Sequence, residues 1–419
     1  MKKGALRKIE RAAERAIQKA ELPGFVLWVA REGEVVYHEA FGEAQIRPHR
    51  RPMKPDTVFD LASLTKVLVT TIGLMKLLER ERVDLSKPVT EFLPSFGERD
   101  EKKQGITLRH LLTHSSGLKT WVPYYEDIGR TDKKREKKIL GTPEARRYVL
   151  GRIALSSLIH DVGEAAVYGD LGFIVLGELL ERIDGRDLPT RFSEDVAVPL
   201  GLHETGYIPL GRPRDAAPAP GILSIPKARI AATEECPWRE RVLVGEVDDG
   251  NAWAMGGVTG HAGLFGTAAE VGKIGLALLS GYKGRGDFAA RPIVERFFAR
   301  QDLPPGSDWA LGWDTPTEGL STSGRCLSAR SVGHTGFTGT SLWMDLERDI
   351  VIVLLANRIH PIARKSRFGF RPRVHDFVMT GLGFPPPDAS APMRQPAQAS
   401  ESAESTDREK IDPPGDARP

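Results

Sequence analysis

Phe59-Asp60-Leu61-Ala62-Ser63-Leu64-Thr65-Lys66, residues 59–66, carries the strongest signal for the fold. It places Ser63 and Lys66 three residues apart at the start of an apolar run, Val67 to Leu78, that predicts a helix. Residues at this spacing share one helix face, so the serine hydroxyl and the lysine amine would be neighbours. A serine needs such an adjacent base to become a good nucleophile, and a helix N-terminus favours a nearby oxyanion. From this motif alone, two unrelated residues on a core helix are the better interpretation.

Two further motifs complete a pattern. Tyr168-Gly169-Asp170 precedes a helical run, and His334-Thr335-Gly336 precedes a strand-like run. The order S-x-x-K, Y-x-[ND], [KH]-T-G resembles the serine beta-lactamase and penicillin-binding-protein superfamily, in particular its class C-like branch. Three other segments resemble that branch as well: Thr107–Leu118, Gly256–Phe265 and Leu354–Arg358. The resemblance extends from about Pro23 to about Gly383.

Strand patterns stand near both ends of the chain. Residues 25–41 and 340–355 each contain two strand-like runs around a polar turn, which predicts two hairpins. The resemblance implies an α+β fold of the beta-lactamase/transpeptidase type, with an antiparallel sheet built from both termini and flanked by helices. A mostly helical subdomain is expected at roughly 62–320, within a serine hydrolase domain that spans residues 1–384. Residues 385–419 are rich in proline, alanine and serine and are predicted to form a disordered tail.

The resemblance implies a role for each motif. Ser63 attacks a carbonyl and forms an acyl-enzyme, with Lys66 as the proton acceptor or as a group that tunes the base. Tyr168 shuttles the proton to the leaving group. The backbone N–H groups of Ser63 and Phe337 form the oxyanion hole. Tyr168 taken alone would more often be a half-buried aromatic residue than a base.

Three residues depart from the common pattern of the family. Asp170 stands where asparagine is more familiar, and its negative charge would keep Lys66 protonated. His334 stands where many relatives carry lysine; a neutral histidine holds a substrate carboxylate less well, which favours an esterase or peptidase over an efficient beta-lactamase. Thr335-Gly336 supplies small residues that let a substrate lie along the strand edge. Asp248 replaces a frequent histidine, with an effect left open. As alternatives, Asp170 is only a helix N-cap and His334 only a strand-end histidine.

Composition and missing motifs argue against other classes. The 419 residues carry a formal net charge of +3, too small to attract nucleic acid or an anionic membrane surface. Cys236 and Cys326 lack metal-site spacing and are expected to be free thiols. The sequence has no apolar window of eighteen residues, so we expect no membrane span. It also has no G-x-S-x-G elbow, no P-loop and no H-E-x-x-H, and we expect neither a metal nor a cofactor.

The sequence of the N-terminal segment predicts a charged amphipathic helix. Met1-Lys2-Lys3 is similar to the start of a signal peptide, but charged residues interrupt the apolar region that should follow. An apolar stripe recurs instead at helical spacing: Leu6, Ile9, Ala13, Ile17 and Ala20. We expect this stripe to pack on the domain's own sheet, with a membrane-surface helix as the second interpretation. The chain as given is expected to be cytoplasmic, and a misassigned start codon would leave export open.

The function predicted from these residues is hydrolysis of an ester or amide through an acyl-enzyme. Small carboxylic esters, D-amino-acid peptides and beta-lactams remain open as substrates. The alternative is a catalytically weak or silent family member that binds peptidoglycan fragments or partner proteins. Ser63, Lys66 and Tyr168 are all present, which argues against a silent protein. The sequence does not specify the oligomeric state.

Overall fold

The computed structural model describes residues 3–134, 136–213, 216–317, 321–363 and 369–386. Its strands are β1 (Gly24–Arg31), β2 (Glu34–Gln45), β3 (Arg51–Pro52), β4 (Val58–Asp60), β5 (Gly206–Tyr207), β6 (Glu235–Cys236), β7 (Arg241–Val242), β8 (Leu264–Thr267), β9 (Val332–Thr335), β10 (Ser341–Asp345) and β11 (Ile350–Ala356). Its α-helices are α1 (Lys3–Gln18), α2 (Ile72–Glu79), α3 (Val89–Phe92), α4 (Leu108–Leu112), α5 (Tyr124–Asp132), α6 (Pro143–Leu155), α7 (Leu171–Asp184), α8 (Leu188–Phe192), α9 (Val198–Leu200), α10 (Gly250–Ala254), α11 (Ala268–Tyr282), α12 (Arg291–Phe298) and α13 (Phe370–Gly381). Short 3-10 helices lie at Pro94–Phe96, Glu101–Gly105 and Lys227–Arg229, and π-helical turns at Lys66–Thr71 and Ser193–Ala197.

The main sheet joins strands from the two ends of the chain. Its order is β3-β2-β1-β11-β10-β9, and neighbouring strands are antiparallel. At the centre β1 pairs with β11, with Phe25 opposite Ala356. The predicted α+β fold, with an antiparallel sheet built from both termini, is therefore confirmed. Strand β9 lies at one edge and carries His334 and Thr335.

Both faces of the central strands are buried. In β1, Val26 and Trp28 belong to the core shared with the helices, whereas Phe25 and Leu27 belong to a second core formed with α1 and α13. Because side chains alternate between the faces of a strand, a strand covered on both sides must be apolar at every position. Helix α11 approaches the sheet closely at Gly272, where a Cβ atom would lie only 2.5 Å from the Trp28 ring.

Helix α1 covers the opposite face of the sheet, as its sequence predicted. Ile9 and Ala13 from the apolar stripe are fully buried, and they share a core with Phe25 of β1 and Val374 of α13. Burial of these side chains stabilises the fold by removing apolar surface from water. The N-terminal segment is therefore a packed part of the domain.

A smaller sheet, with the order β4-β8-β5, lies among the helices. Val58 of β4 pairs with Thr267 of β8, and β4 ends at Asp60, just before the Ser63 turn. This sheet thereby fixes the point at which the serine-bearing segment leaves a strand. The domain limits at 62–320 and 1–384 remain predictions, and the predicted tail lies outside the described residues apart from 385 and 386.

Two expectations concerned cysteine and the membrane. Cys236 and Cys326 are both buried and unpaired, and burial raises the pKa of the Cys326 thiol to about 12. Among the helices that the structure describes, none combines the length and apolar character needed to cross a membrane.

Candidate active site

Ser63 lies in a strained turn between β4 and the following helix. Ala62, immediately before it, has a φ of +47°, in the left-handed region that residues with a Cβ atom rarely adopt. The helix predicted after Ser63 is present, but Lys66–Thr71 forms a wide π-helical turn before α2 continues. Such turns are frequent at functional sites. Strain and an irregular helix therefore meet at the serine.

Lys66 is the centre of the polar contacts around Ser63. Its Nζ lies 2.9 Å from Ser63 Oγ, 2.6 Å from Asp170 Oδ1 and 3.5 Å from the His261 carbonyl oxygen. Burial lowers the pKa of Lys66, but the Asp170 carboxylate and Tyr168 outweigh burial and raise it above its ordinary value. Lys66 is therefore an ammonium group at neutral pH, as an aspartate at position 170 led us to expect.

Tyr168 and Asp170 both lie close to the Lys66 amine. Lys66 Nζ lies 5.0 Å from the centre of the Tyr168 ring. Burial raises the pKa of the phenol, although Lys66 lowers it, so Tyr168 is neutral. Asp170 directly precedes α7, but its side chain accepts from Lys66 and makes no capping hydrogen bond. The structure therefore brings all four predicted side chains of the first two motifs together around Lys66.

The turn after β9 is fastened to the backbone that leads into Ser63. Thr338 Oγ1 donates to the Asp60 carbonyl oxygen at 2.9 Å, and Thr340 Oγ1 donates to the Leu61 carbonyl oxygen at 3.1 Å. At Gly336 a Cβ atom would lie 2.8 Å from the Leu61 carbonyl oxygen and closer still to Thr340. Glycine is required there because the two chain segments touch.

Each of these two fastened segments contains one backbone donor without a protein acceptor among the described residues. Within the described residues, neither the Ser63 N–H nor the Phe337 N–H donates to another protein group. Phe337 follows Gly336 directly, and its side chain is exposed. Unsatisfied N–H groups of this kind can donate hydrogen bonds to the oxygen of a polarised carbonyl.

His334 and Thr335 form the end of the β9 edge strand. The His334 side chain is 2% exposed, and its Nδ1 donates to the Thr335 carbonyl oxygen at 2.8 Å. Burial, followed by Lys66, lowers the pKa of His334 to about 3. The imidazole is therefore neutral and packs 5.7 Å from the Tyr168 ring, measured between ring centres. At position 334 the chain therefore presents a polar, uncharged imidazole where many relatives have a positively charged lysine.

An aromatic layer behind Tyr168 escaped the sequence analysis as a functional feature. His114 lies 4.8 Å from Tyr168 and 4.5 Å from Trp309, measured between ring centres, and Trp309 stacks on Tyr168 at 5.7 Å. Burial lowers the pKa of His114 well below its usual value, so it too is neutral. The sequence signal for His114 was its place in the segment Thr107–Leu118, which resembles the family. That resemblance does not predict which side chains His114 contacts.

A second polar layer lies behind Lys66. His261 Nε2 lies 2.9 Å from Asp249 Oδ1, and His261 Nδ1 lies 2.9 Å from Thr259 Oγ1. One potential ligand atom from each of Asp170, Asp249 and His261 lies within 4.8 Å of the other two. By distance alone, these three side chains could bind a metal ion. However, the Lys66 ammonium already pairs with Asp170, and Asp249 pairs with His261. The cluster therefore suits support of the lysine better than a metal site.

The fold and this network define a class of protein, the serine hydrolases of the beta-lactamase/transpeptidase fold. A family model described as Beta-lactamase matches residues 9–368. The chain belongs to the beta-lactamase family.

Named relatives share most of their length with this chain. An N-acetylmuramyl-L-alanine amidase of Bacillus subtilis (strain 168) is 30% identical over 374 residues, which cover 85% of this chain and 81% of the relative. A putative D-alanyl-D-alanine carboxypeptidase of Salmonella agona (strain SL483) is 28% identical, covering 82% of this chain and 81% of the relative. The solved structure of EstCE1, a hydrolase with promiscuous acyltransferase activity, superposes with a TM-score of 0.68 at 22% identity, covering 90% of this chain and 98% of that one. The last comparison shows a shared fold.

Proposed function

We propose that this protein hydrolyses an ester or amide through an acyl-enzyme on Ser63. The observation that carries the proposal is the 2.9 Å contact between Ser63 Oγ and Lys66 Nζ. The N–H groups of Ser63 and Phe337, which donate to no other described protein group, complete the proposed site. Because Lys66 rests as an ammonium group, the reactive form is the minor one in which the lysine is neutral.

The proposed reaction has two halves. Ser63 Oγ bonds to the carbonyl carbon while its proton passes to neutral Lys66, and the carbonyl oxygen, now an oxyanion, accepts from the N–H groups of Ser63 and Phe337. The bond to the leaving oxygen or nitrogen then breaks as that atom takes a proton through Tyr168, which Lys66 reprotonates. In the second half, water bonds to the ester carbonyl carbon and loses a proton to the same groups, and the bond to Ser63 Oγ then breaks as that proton passes to Oγ, which releases the acid and free Ser63.

The substrate is proposed to be uncharged where it faces β9. His334 is neutral and Lys66 is paired with Asp170, so neither side chain offers an unpaired positive charge to a carboxylate. The names of the two relatives point to amides derived from cell-wall peptides. Among these, an N-acyl amide resembling the muramyl-L-alanine linkage fits the neutral wall better than a D-alanyl-D-alanine terminus or a beta-lactam. A cytoplasmic location remains a prediction.

The test compares turnover of p-nitrophenyl butyrate by the native protein and by Ser63→Ala. We expect the variant to lose at least about 10³-fold in kcat, because it lacks the nucleophile. Ser86→Ala, at an exposed serine, serves as the matched control and should keep native activity. Labelling with a fluorophosphonate probe, followed by mass spectrometry of the peptide that contains Ser63, identifies the acylated residue. Turnover that survives in Ser63→Ala would overturn the mechanism, and a native protein that neither turns over nor labels would favour the silent binder.

A further inference from the structure

Asp60 is a buried carboxylate that the proposed reaction does not use. Its side chain is 2% exposed. Its Oδ1 accepts the Ala62 N–H at 2.9 Å, and its Oδ2 accepts the Asp248 N–H at 2.7 Å. A buried carboxylate costs free energy unless its oxygens are hydrogen-bonded. Both oxygens are satisfied here by the backbone of two segments that are far apart in the sequence.

The first oxygen holds the strained residue next to the nucleophile. Ala62 is the residue with left-handed φ, a conformation that costs free energy and persists only when its surroundings impose it. Asp60 accepts the N–H of this residue, and its own carbonyl oxygen accepts from Thr338 in the turn that contains Phe337. These two bonds fix the backbone from which the Ser63 side chain and N–H project.

The second oxygen reaches the layer behind the lysine. Asp248, whose N–H bonds Asp60, is followed by Asp249, and Asp249 lies 2.9 Å from His261. The His261 carbonyl oxygen in turn faces Lys66 Nζ at 3.5 Å. The carboxylate therefore connects the nucleophile side of the site with the lysine side.

We propose that Asp60 is a positioning residue, whose carboxylate keeps the Ser63 turn and the Asp248–Asp249 segment in the relative placement that catalysis requires. The inference rests on the proposed function of Ser63 as the nucleophile. An ionised carboxylate accepts hydrogen bonds at both oxygens, whereas a protonated one must place a hydroxyl against one of the two N–H donors. The active enzyme therefore requires the ionised form.

The surroundings set the pH at which this form is lost. Burial raises the pKa of Asp60 to about 6, although the two N–H groups that it accepts lower it. The charged groups that face it are Asp249, which raises this pKa, and Arg239, which lowers it. Burial, with Glu234 and Asp60, raises the pKa of Asp248 to about 8, so that at pH 7 Asp60 is ionised and Asp248 is neutral. Because neutral Lys66 already becomes scarcer as the pH is lowered, we expect Asp60 to add a second, steeper fall of kcat below an apparent pKa near 6, which we call the acid limb.

Asp60→Asn tests the positioning role. An asparagine has one oxygen for two N–H donors, and its NH₂ group opposes the second. We expect kcat to fall by about 10²-fold, as for a small displacement of reacting groups, with KM within about twofold of the native value. The acid limb near pH 6 should disappear because the amide does not titrate. Active-site titration with the fluorophosphonate normalises kcat to protein that reacts at Ser63.

Asp345→Asn provides the matched control. Asp345 is also buried, and its carboxylate accepts the N–H groups of Ser328 and Glu347 at 2.9 and 3.1 Å. It lies at the last residue of β10, whereas the first residue, Ser341, is the one that pairs with Thr335 of β9. Asp345 is therefore at the end of β10 away from the proposed site. This variant should lose stability while keeping the native kcat and acid limb per titrated site.

The outcomes separate the two proposals. Native kcat and a native acid limb in Asp60→Asn would overturn the positioning role, even where Ser63→Ala is inactive. Turnover in Ser63→Ala would instead overturn the proposed function. If Asp60→Asn does not fold, the native pH profile decides: a steepening of the fall in log kcat near pH 6 supports the inference, and a single unbroken slope from pH 5 to 7 contradicts it.

Discussion

Asp170→Asn would show how the buried ion pair controls the reactive form of Lys66. The carboxylate lies 2.6 Å from Lys66 Nζ, and burial, the largest influence on this lysine, acts in the opposite direction by lowering its pKa. The substitution removes the negative charge and keeps the shape of the side chain. The pKa of Lys66 should therefore fall, and a larger fraction of the lysine should be neutral at pH 7–8.

The magnitude follows from the geometry. Two unit charges 2.6 Å apart at an effective dielectric constant of 20 attract by about 6 kcal/mol, or about 4 pKa units. The Asp170 side chain is 19% exposed, so water screens part of this attraction, and we expect the pKa of Lys66 to fall by about 2 units. A weaker base transfers protons less readily, which cancels about half of the gain on a logarithmic scale. The net expectation is an increase of about tenfold in kcat/KM at pH 7.5.

The assay is kcat/KM for p-nitrophenyl butyrate between pH 6.5 and 9. For the native enzyme, kcat/KM should rise across this range because neutral Lys66 is scarce, and the variant should start higher. The control is Asp161→Asn, which breaks a Lys102–Asp161 pair of similar length, 2.7 Å, with both side chains 68% exposed. It should leave kcat/KM unchanged. A kcat/KM in Asp170→Asn equal to or below the native value at every pH would refute the argument that protonation of Lys66 limits acylation.

Three further substitutions have defined outcomes. Gly336→Ala should lower kcat by about 10²-fold in a folded protein, because a Cβ atom pushes the turn away from Ser63; unchanged steady-state kinetics would contradict the close contact. His334→Lys should lower KM for D-alanyl-D-alanine peptides relative to a neutral ester, and an unchanged ratio of KM values would argue against the neutral wall. Asp248→Asn should flatten the dependence of the thermal midpoint on pH. Asp248 has a pKa of about 8 in the fold against a reference value of 3.8, so its stabilising contribution is full below pH 3.8 and is lost as the pH rises through 8. The native midpoint should therefore fall more steeply from pH 5 to 9 than that of the variant, and equal slopes in differential scanning calorimetry would show that Asp248 is not responsible.

The sheet could be predicted because its signals are local. The runs that became β1 and β11 are apolar at successive positions, and a polar turn precedes or follows each of them. Pairing of β1 with β11 required the resemblance to a known fold, because nothing within either run specifies its partner. The smaller sheet was not predicted: β4 and β5 contain three and two residues, too few to show a period.

The site was predictable to the extent that spacing fixes distance. A spacing of three residues at the start of a helix brings Ser63 and Lys66 together, and the 2.9 Å distance between Ser63 Oγ and Lys66 Nζ agrees with that expectation. The left-handed φ of Ala62 had no signal, because alanine is not a residue type that marks such a conformation. Asp60 was overlooked because its role depends on an N–H of Asp248, which only the folded chain brings near.

Two of the departures from the family pattern, Asp170 and His334, act together on one property, the positive charge available to a substrate. At position 170, the aspartate keeps Lys66 charged but pairs it at 2.6 Å. At position 334, the histidine replaces a lysine with an imidazole whose pKa burial lowers to about 3. A substrate carboxylate facing these residues would lose hydration without gaining an unpaired cation, and such desolvation is costly. An uncharged ester or amide meets no such cost. This difference is the physical reason to place neutral esters and amides ahead of beta-lactams as substrates.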